Sequence, residues 1–132
     1  MTNKFMLAIY DDGVAGLTPL AELDTPILDP AAYYRTYVNY KVLGDKMRFG
    51  MGAPWAEWLF PLLTIEQRNQ LREFCPGAST RLYLRTISED QSTFEDFLGI
   101  MIWPLNESPV KAGFLLDLII RFEDLELQED IS

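Results

Sequence analysis

The chain contains no histidine and a single cysteine, Cys75, in 132 residues. Without imidazole it lacks the side chain that ordinarily titrates near neutrality, and with it the usual general base and every zinc or iron site that depends on histidine. One cysteine forms neither an intramolecular disulfide nor a thiolate cluster, so nothing points to a structural metal or an oxidising compartment. Cys75 reads as a small buried apolar residue at a helix end; the alternative, a reactive thiol, has no histidine to activate it. Long apolar runs are also scarce. Phe5–Tyr10 is the longest near the N-terminus, too short for a signal-peptide core or a membrane span, so the chain is expected in the cytoplasm where it is made unless it leaves within an assembly. With only 8 glycines and 8 prolines, collagen-like and low-complexity classes are excluded.

What remains is 48% apolar and 13% aromatic, a composition that supports one core and hence one domain across residues 1–132. Charge is distributed unevenly. Residues 1–33 sum to −4, residues 34–86 to +4 and residues 87–132 to −9, giving the net −9. An acidic chain on average repels nucleic acid and anionic membrane, because phosphate binding needs clustered lysine and arginine. The acidic residues are read first as a solvated surface.

Lys4–Tyr10 is expected as a strand. Residues 11–33 carry Gly13, Gly16, Pro19, Pro26 and Pro30 without periodicity, and are expected as an extended N-terminal arm or long loop ordered by a neighbour. From Tyr34 to Val42 the residues alternate as in a half-buried strand, with a turn at Gly44–Asp45 and a return over Lys46–Met51. Trp55, Trp58 and Phe60 then follow in an apolar stretch, either as core payload or as candidate subunit-interface residues. Thr64 and Gln67 have the spacing of a capping box, so a helix is expected to start there and to stop at Pro76–Gly77. Arg81–Ile87 and Phe94–Trp103 are expected as strands, followed by a turn at Asn106–Pro109. Across the last long strand, Gly113–Leu127, the residues Phe114, Leu116, Leu118, Ile120 and Phe122 are expected to form one wholly apolar core side. The end from Gln128 is expected to fray.

No catalytic constellation emerges. Glu89–Asp90 and Glu95–Asp96 are adjacent pairs, and neighbours on a strand point to opposite faces. Gly50 and Gly52 lack a phosphate-loop context, and no stretch has the alternating carboxylates of a calcium loop. Neither enzyme activity, nor a cofactor, nor a metal is expected.

The order of parts resembles the tail-tube fold of long-tailed phages, shared by tail-tube, distal-tail and minor tail proteins. The parts are a long aromatic strand and hairpin, a helix opening Leu63-Thr64-Ile65-Glu66-Gln67 and running to Phe74, the strand Arg81–Ile87, an apolar strand ending Met101–Pro104, and a long last strand. The match spans about residues 34 to 127 and is most similar to minor tail or distal tail proteins without a large C-terminal domain. The resemblance implies a mainly β (α+β) fold, a β-sandwich or half-barrel of about six to eight antiparallel strands with one flanking short helix. It also implies a structural virion protein in the tail, assembled in the host bacterial cytoplasm. There it forms or joins a hexameric or trimeric ring of its own copies among other tail proteins, with DNA passing through the channel unbound and no membrane partner. The alternatives are a monomeric β-sandwich module binding carbohydrate through Trp55 and Trp58, or a tail assembly factor absent from the virion.

Overall fold

The computed structural model describes residues 5–89, 93–105, 107 and 110–128, and antiparallel strands dominate it. In chain order they are β1 (Met6–Ile9), β2 (Thr18–Pro19), β3 (Ala31–Arg35), β4 (Asn39–Val42), β5 (Arg48–Met51), β6 (Trp55–Thr64), β7 (Ser79–Ile87), β8 (Phe94–Ile102), β9 (Val110–Lys111) and β10 (Phe114–Leu127), with helix α1 (Ile65–Phe74) between β6 and β7. Eight strands make one sheet in the order β2-β1-β7-β8-β10-β6-β3, with β9 also on β10, while β4 and β5 pair only with each other. This is the expected mainly β half-barrel with one flanking helix. Of the expected turn at Asn106–Pro109 only Glu107 is described, and Asp90 and the chain beyond Gln128 lie outside the described residues.

The sheet curls because its inner face is aromatic and needs a far wall. Trp58 on β6 donates its indole N–H to the Thr86 hydroxyl on β7 at 2.9 Å, although β10 and β8 lie between those strands. In a flat sheet three strand spacings would separate β6 from β7 by about 14 Å. The same closure stacks Tyr34 of β3 on Phe97 of β8 at 5.3 Å. Trp58 also meets Phe5, Phe60 and Phe122 edge-on, at 5.3, 6.3 and 4.7 Å between ring centroids.

The last strand departs from simple alternation. Leu118, Ile120 and Phe122 are buried as expected, but Phe114 and Leu116 are 38% and 37% exposed and it is Leu115 that points inward. The cause lies at Asp117, which takes a left-handed φ of 52° between the pairs Leu116↔Leu62 and Leu118↔Phe60. It therefore stands opposite Pro61, which has no N–H to give to the ladder. Both strands invert their parity there while keeping register: on β6 Phe60 and Leu63 are buried, with Pro61 and Leu62 turned out between them. A second inversion follows at Asp124, again at φ 52°, where β10 gains one residue on β8 between Glu123 and Glu126. Leu125 is thereby swung inward across Gly99, where a Cβ would lie 2.6 Å from Leu125 Cδ2 and 3.3 Å from the Glu123 carbonyl oxygen.

Helix α1 starts where the capping box places it. The Gln67 N–H donates to Thr64 Oγ1 at 3.2 Å, and the Thr64 N–H donates to Gln67 Oε1 at 2.9 Å. Thr64→Ala is expected to destabilise the fold by about 1 kcal/mol in thermal or urea unfolding, by leaving helix-end N–H groups unpaired. The helix buries Leu71, with Cys75 just beyond its end. Burial pushes the Cys75 thiol above its ordinary pKa, consistent with the small-apolar reading of that residue.

The same helix holds residues 11–33, expected as an extended arm or long loop ordered by a neighbour, against their own domain. Gln70 Oε1 accepts from the Thr25 N–H at 3.0 Å, and Gln67 Nε2 donates to the Pro26 carbonyl at 2.9 Å. Leu20 and Ile27 are fully buried, and the Leu20 N–H donates to the Phe5 carbonyl at 3.1 Å. The segment carries three short 3-10 turns and β2, and it folds back on its own domain, with no neighbour needed to order it. Two apolar residues seven apart in a Gly- and Pro-rich stretch are enough to pin it, although they have no period.

Beyond the helix, Arg68 grips Glu107 through two bonds, Nε to Oε1 at 2.9 Å and Nη2 to Oε2 at 2.8 Å. The Arg68 guanidinium and the neighbouring indole of Trp103 hold the Glu107 carboxyl below its ordinary range. A carboxyl depressed in the folded state adds stability above its unfolded pKa, about 4.3, and loses it as pH falls through the lower folded value. Wild type is therefore expected to melt above Glu107→Gln at pH 7, with the gap closing in acid. A pH-independent gap in melting temperature would show that the pair does not act through charge.

Candidate interaction surface

The three aromatic residues expected at a subunit interface separate in the structure. Trp58 is 0% exposed and Phe60 2%, both inside the half-barrel; Trp58 is withdrawn from any partner, and Phe60 comes near the surface only at the floor of a cleft beside Leu62. Their even-numbered spacing on β6 places them on the inner face together with Ala56. Trp55 lies on the outer face and is half-buried. Its ring is covered by the Arg121 guanidinium at 3.9 Å and met edge-on by Tyr33 at 5.7 Å, and its indole N–H donates to the Tyr37 carbonyl at 2.9 Å.

Around Trp55 the outer face is tied together by charge. Arg121 bridges Glu57 at 3.3 Å and Glu123 at 2.6 Å. The Tyr33 hydroxyl donates to Glu57; that bond, then partial burial and the carboxylate charge, raise the phenol pKa. This is a closed polar network in which the partners are already supplied, and the Arg121 guanidinium takes one face of the Trp55 ring that a sugar would otherwise use. Arg85 and Asp96 form another such pair on β7 and β8, at 2.5 Å. Among the described residues no group of three or more acidic or cysteine side chains converges to hold a metal ion.

The feature that stands apart is the β4–β5 hairpin. Arg35 is the last residue of β3 and pairs with Trp55, the first of β6, so residues 36–54 are an excursion inserted between two neighbouring strands of the sheet. Tyr34–Val42, expected as one half-buried strand, is instead broken after Arg35, and β4 is exposed along its whole length. The reason is the lack of a partner: β6 begins only at Trp55, and the chain beyond Arg35 pairs with itself. Lys41 faces Phe49 and Val42 faces Arg48. The tip is closed by Gly44, Asp45 and Lys46, the last in the left-handed region at φ 71°, as a three-residue hairpin loop requires.

Among the described residues, eight of the eighteen exposed large apolar side chains belong to this excursion: Tyr37, Val38, Tyr40, Val42, Leu43, Met47, Phe49 and Met51. An isolated two-stranded ribbon is marginal in water, and a cluster of this kind marks a contact surface. Residues 36–52 also carry a charge of +2, from Lys41, Lys46 and Arg48 against Asp45, within a chain of −9. The sequence reading paired these strands but did not single out their residues as a site. The signal was available: apolar residues fall on both sides of the alternation, so one apolar set has no core to enter. Comparison of the chain with family models, with curated proteins and with solved structures finds no match.

Proposed function

We propose that the protein is a structural subunit that works through protein–protein contact, in the role its sequence resemblance implies: a component of a phage tail, of the minor or distal tail type, forming or joining a ring around the DNA channel. The observation that carries the reading is the exposed apolar hairpin on an otherwise well-packed half-barrel. Side chains such as Phe49 and Met47 gain little by folding and much by association, since burying one on a partner is worth about 1.5–3 kcal/mol. The acidic body fits a wall past which a polyanion slides without binding. The carbohydrate alternative is weakened by the burial of Trp58 and the capping of Trp55.

The test is the assembly state of the purified protein, by sedimentation velocity and negative-stain microscopy. Closed rings of three or six copies are the expected result, and gel shifts with duplex DNA should show no complex. A monomer at every concentration reached would overturn the reading. An assembly factor would make similar contacts, and its absence from purified virions is what would tell it apart.

A further inference from the structure

We infer that the β4–β5 hairpin of one copy docks on the outer face of β6 and β10 of the next, with Phe49 entering the cleft beside Leu62. This deepens the assembly reading and rests on it. The two faces of the ribbon differ. On one, the Tyr37 ring lies over Gly50, so close that a Cβ there would meet it at 2.7 Å, and Arg48 covers Tyr40 at 4.3 Å. On that face Gly50 and Tyr40 are partly screened by these neighbours, while Val42 stays 58% exposed. On the other face, Lys41 pairs with Phe49 and Asn39 with Met51, and Leu43 and Met47 join by a hydrogen bond of 2.7 Å. This second face carries the two most exposed large apolar side chains of the hairpin, Met47 at 63% and Phe49 at 60%.

The receiving surface is made by the parity inversion at Pro61 and Asp117. It turns Leu62 and its cross-strand partner Leu116 outward, next to Ile119, which is 45% exposed and pairs with Leu59. Beside Leu62 opens a cleft of about 240 Å³ lined by Leu28, Asp29, Pro61, Leu62 and Gln67 among others. An apolar cavity of about 150 Å³ is enough to hold benzene, so a phenylalanine ring fits. Leu28, at 85% exposed, stands at the cleft with no cover of its own.

Charge selects a second copy's hairpin as the occupant. Asp29 lines the cleft and Asp117 stands opposite Pro61, both exposed, and neither is ion-paired among the described residues. Lys41 and Lys46, on the open face and at the tip of the hairpin, are likewise without a carboxylate partner there. Basic apolar ribbon and acidic apolar cleft belong to the same chain but to different surfaces, so every copy both offers and receives a hairpin, and a head-to-tail repeat of the contact closes a ring or propagates a filament.

The experiment mixes two full-length single-cysteine additions, Met47→Cys and Leu28→Cys, under mild oxidation. The native Cys75 is buried, and oxidised wild type serves as the control. A disulfide-linked species of twice 15.2 kDa that forms only in the mixture is the expected result. Adding Phe49→Ala to the Met47→Cys chain should slow its formation at least about tenfold. Linkage of Met47→Cys chains to each other would show hairpins meeting hairpins and overturn the inference. So would a lack of linkage while sedimentation shows wild-type assemblies, a result that leaves the assembly reading standing. No linkage together with a monomeric wild type removes both.

Discussion

Trp58→Ala is expected to lower stability by about 3–5 kcal/mol, the range for truncating a large buried aromatic residue. In a domain of this size that corresponds to a fall in melting temperature on the order of 10–20 °C. The indole is fully buried and is the common neighbour of Phe5, Phe60 and Phe122, so its removal opens a cavity that rings from its own strand and two other segments cannot all collapse to fill. Part of the loss is polar. Trp58→Phe keeps most of the volume but strands the Thr86 hydroxyl, itself fully buried, and should cost about 1–3 kcal/mol. Thr86→Val in the Trp58→Phe background removes the stranded group and should recover part of that loss. Urea unfolding of the four chains in this cycle separates the two contributions. A Trp58→Ala chain within about 1 kcal/mol of wild type would mean that the indole does not span the half-barrel.

Excising the hairpin is expected to have the opposite profile, with little change in stability and complete loss of self-association. Because Arg35 and Trp55 are paired neighbours, replacing residues 36–52 by Asn-Gly leaves a four-residue loop that ends in Ala53 and Pro54, a common length for a hairpin connection. Pro54 is retained because its carbonyl accepts from the Leu125 N–H at 3.0 Å. Among the described residues, the one side-chain bond lost between hairpin and body is that from Trp55 to the Tyr37 carbonyl, worth about 1 kcal/mol. The shortened chain should therefore unfold cooperatively close to wild type and sediment as a monomer. If it still assembles, the hairpin is not the adhesive element; if it fails to fold, the hairpin is part of the core after all.

Much of the architecture was legible in the sequence because local chemistry dictated it. The Thr64–Gln67 capping box fixes the helix start through two reciprocal bonds, and the apolar alternation of β7 and β8 survives into the sheet. What misled was any feature decided by a distant partner. The outward turn of Leu116 depends on a proline on another strand, and the even alternation of Phe114–Phe122 gave no hint of it. The segment that buries Leu20 and Ile27 is tied at Thr25 and Pro26 to a helix 45 and 41 residues away along the chain. Trp58 and Phe60 looked alike as core or contact residues, since an aromatic residue on a strand declares its parity but not which side of the sheet is wet. The exposed hairpin was visible as a pairing of strands and invisible as a surface, because exposure is set by β6 starting only at Trp55.

The two parity inversions in β10 divide the labour of neighbouring residues. Leu115 and Leu116 are chemically identical and adjacent, yet the first is constrained by the interior and the second only by whatever meets the outside. Leu118, Ile120, Phe122 and Leu125 answer to the core, while Phe114, Leu116 and Ile119 do not. Substitutions in the outward set can alter the chemistry of contact without taxing the fold, so the strand carries two alphabets that change at different rates. Two chains that share the inward set and differ in the outward one would keep the same half-barrel and recognise different neighbours.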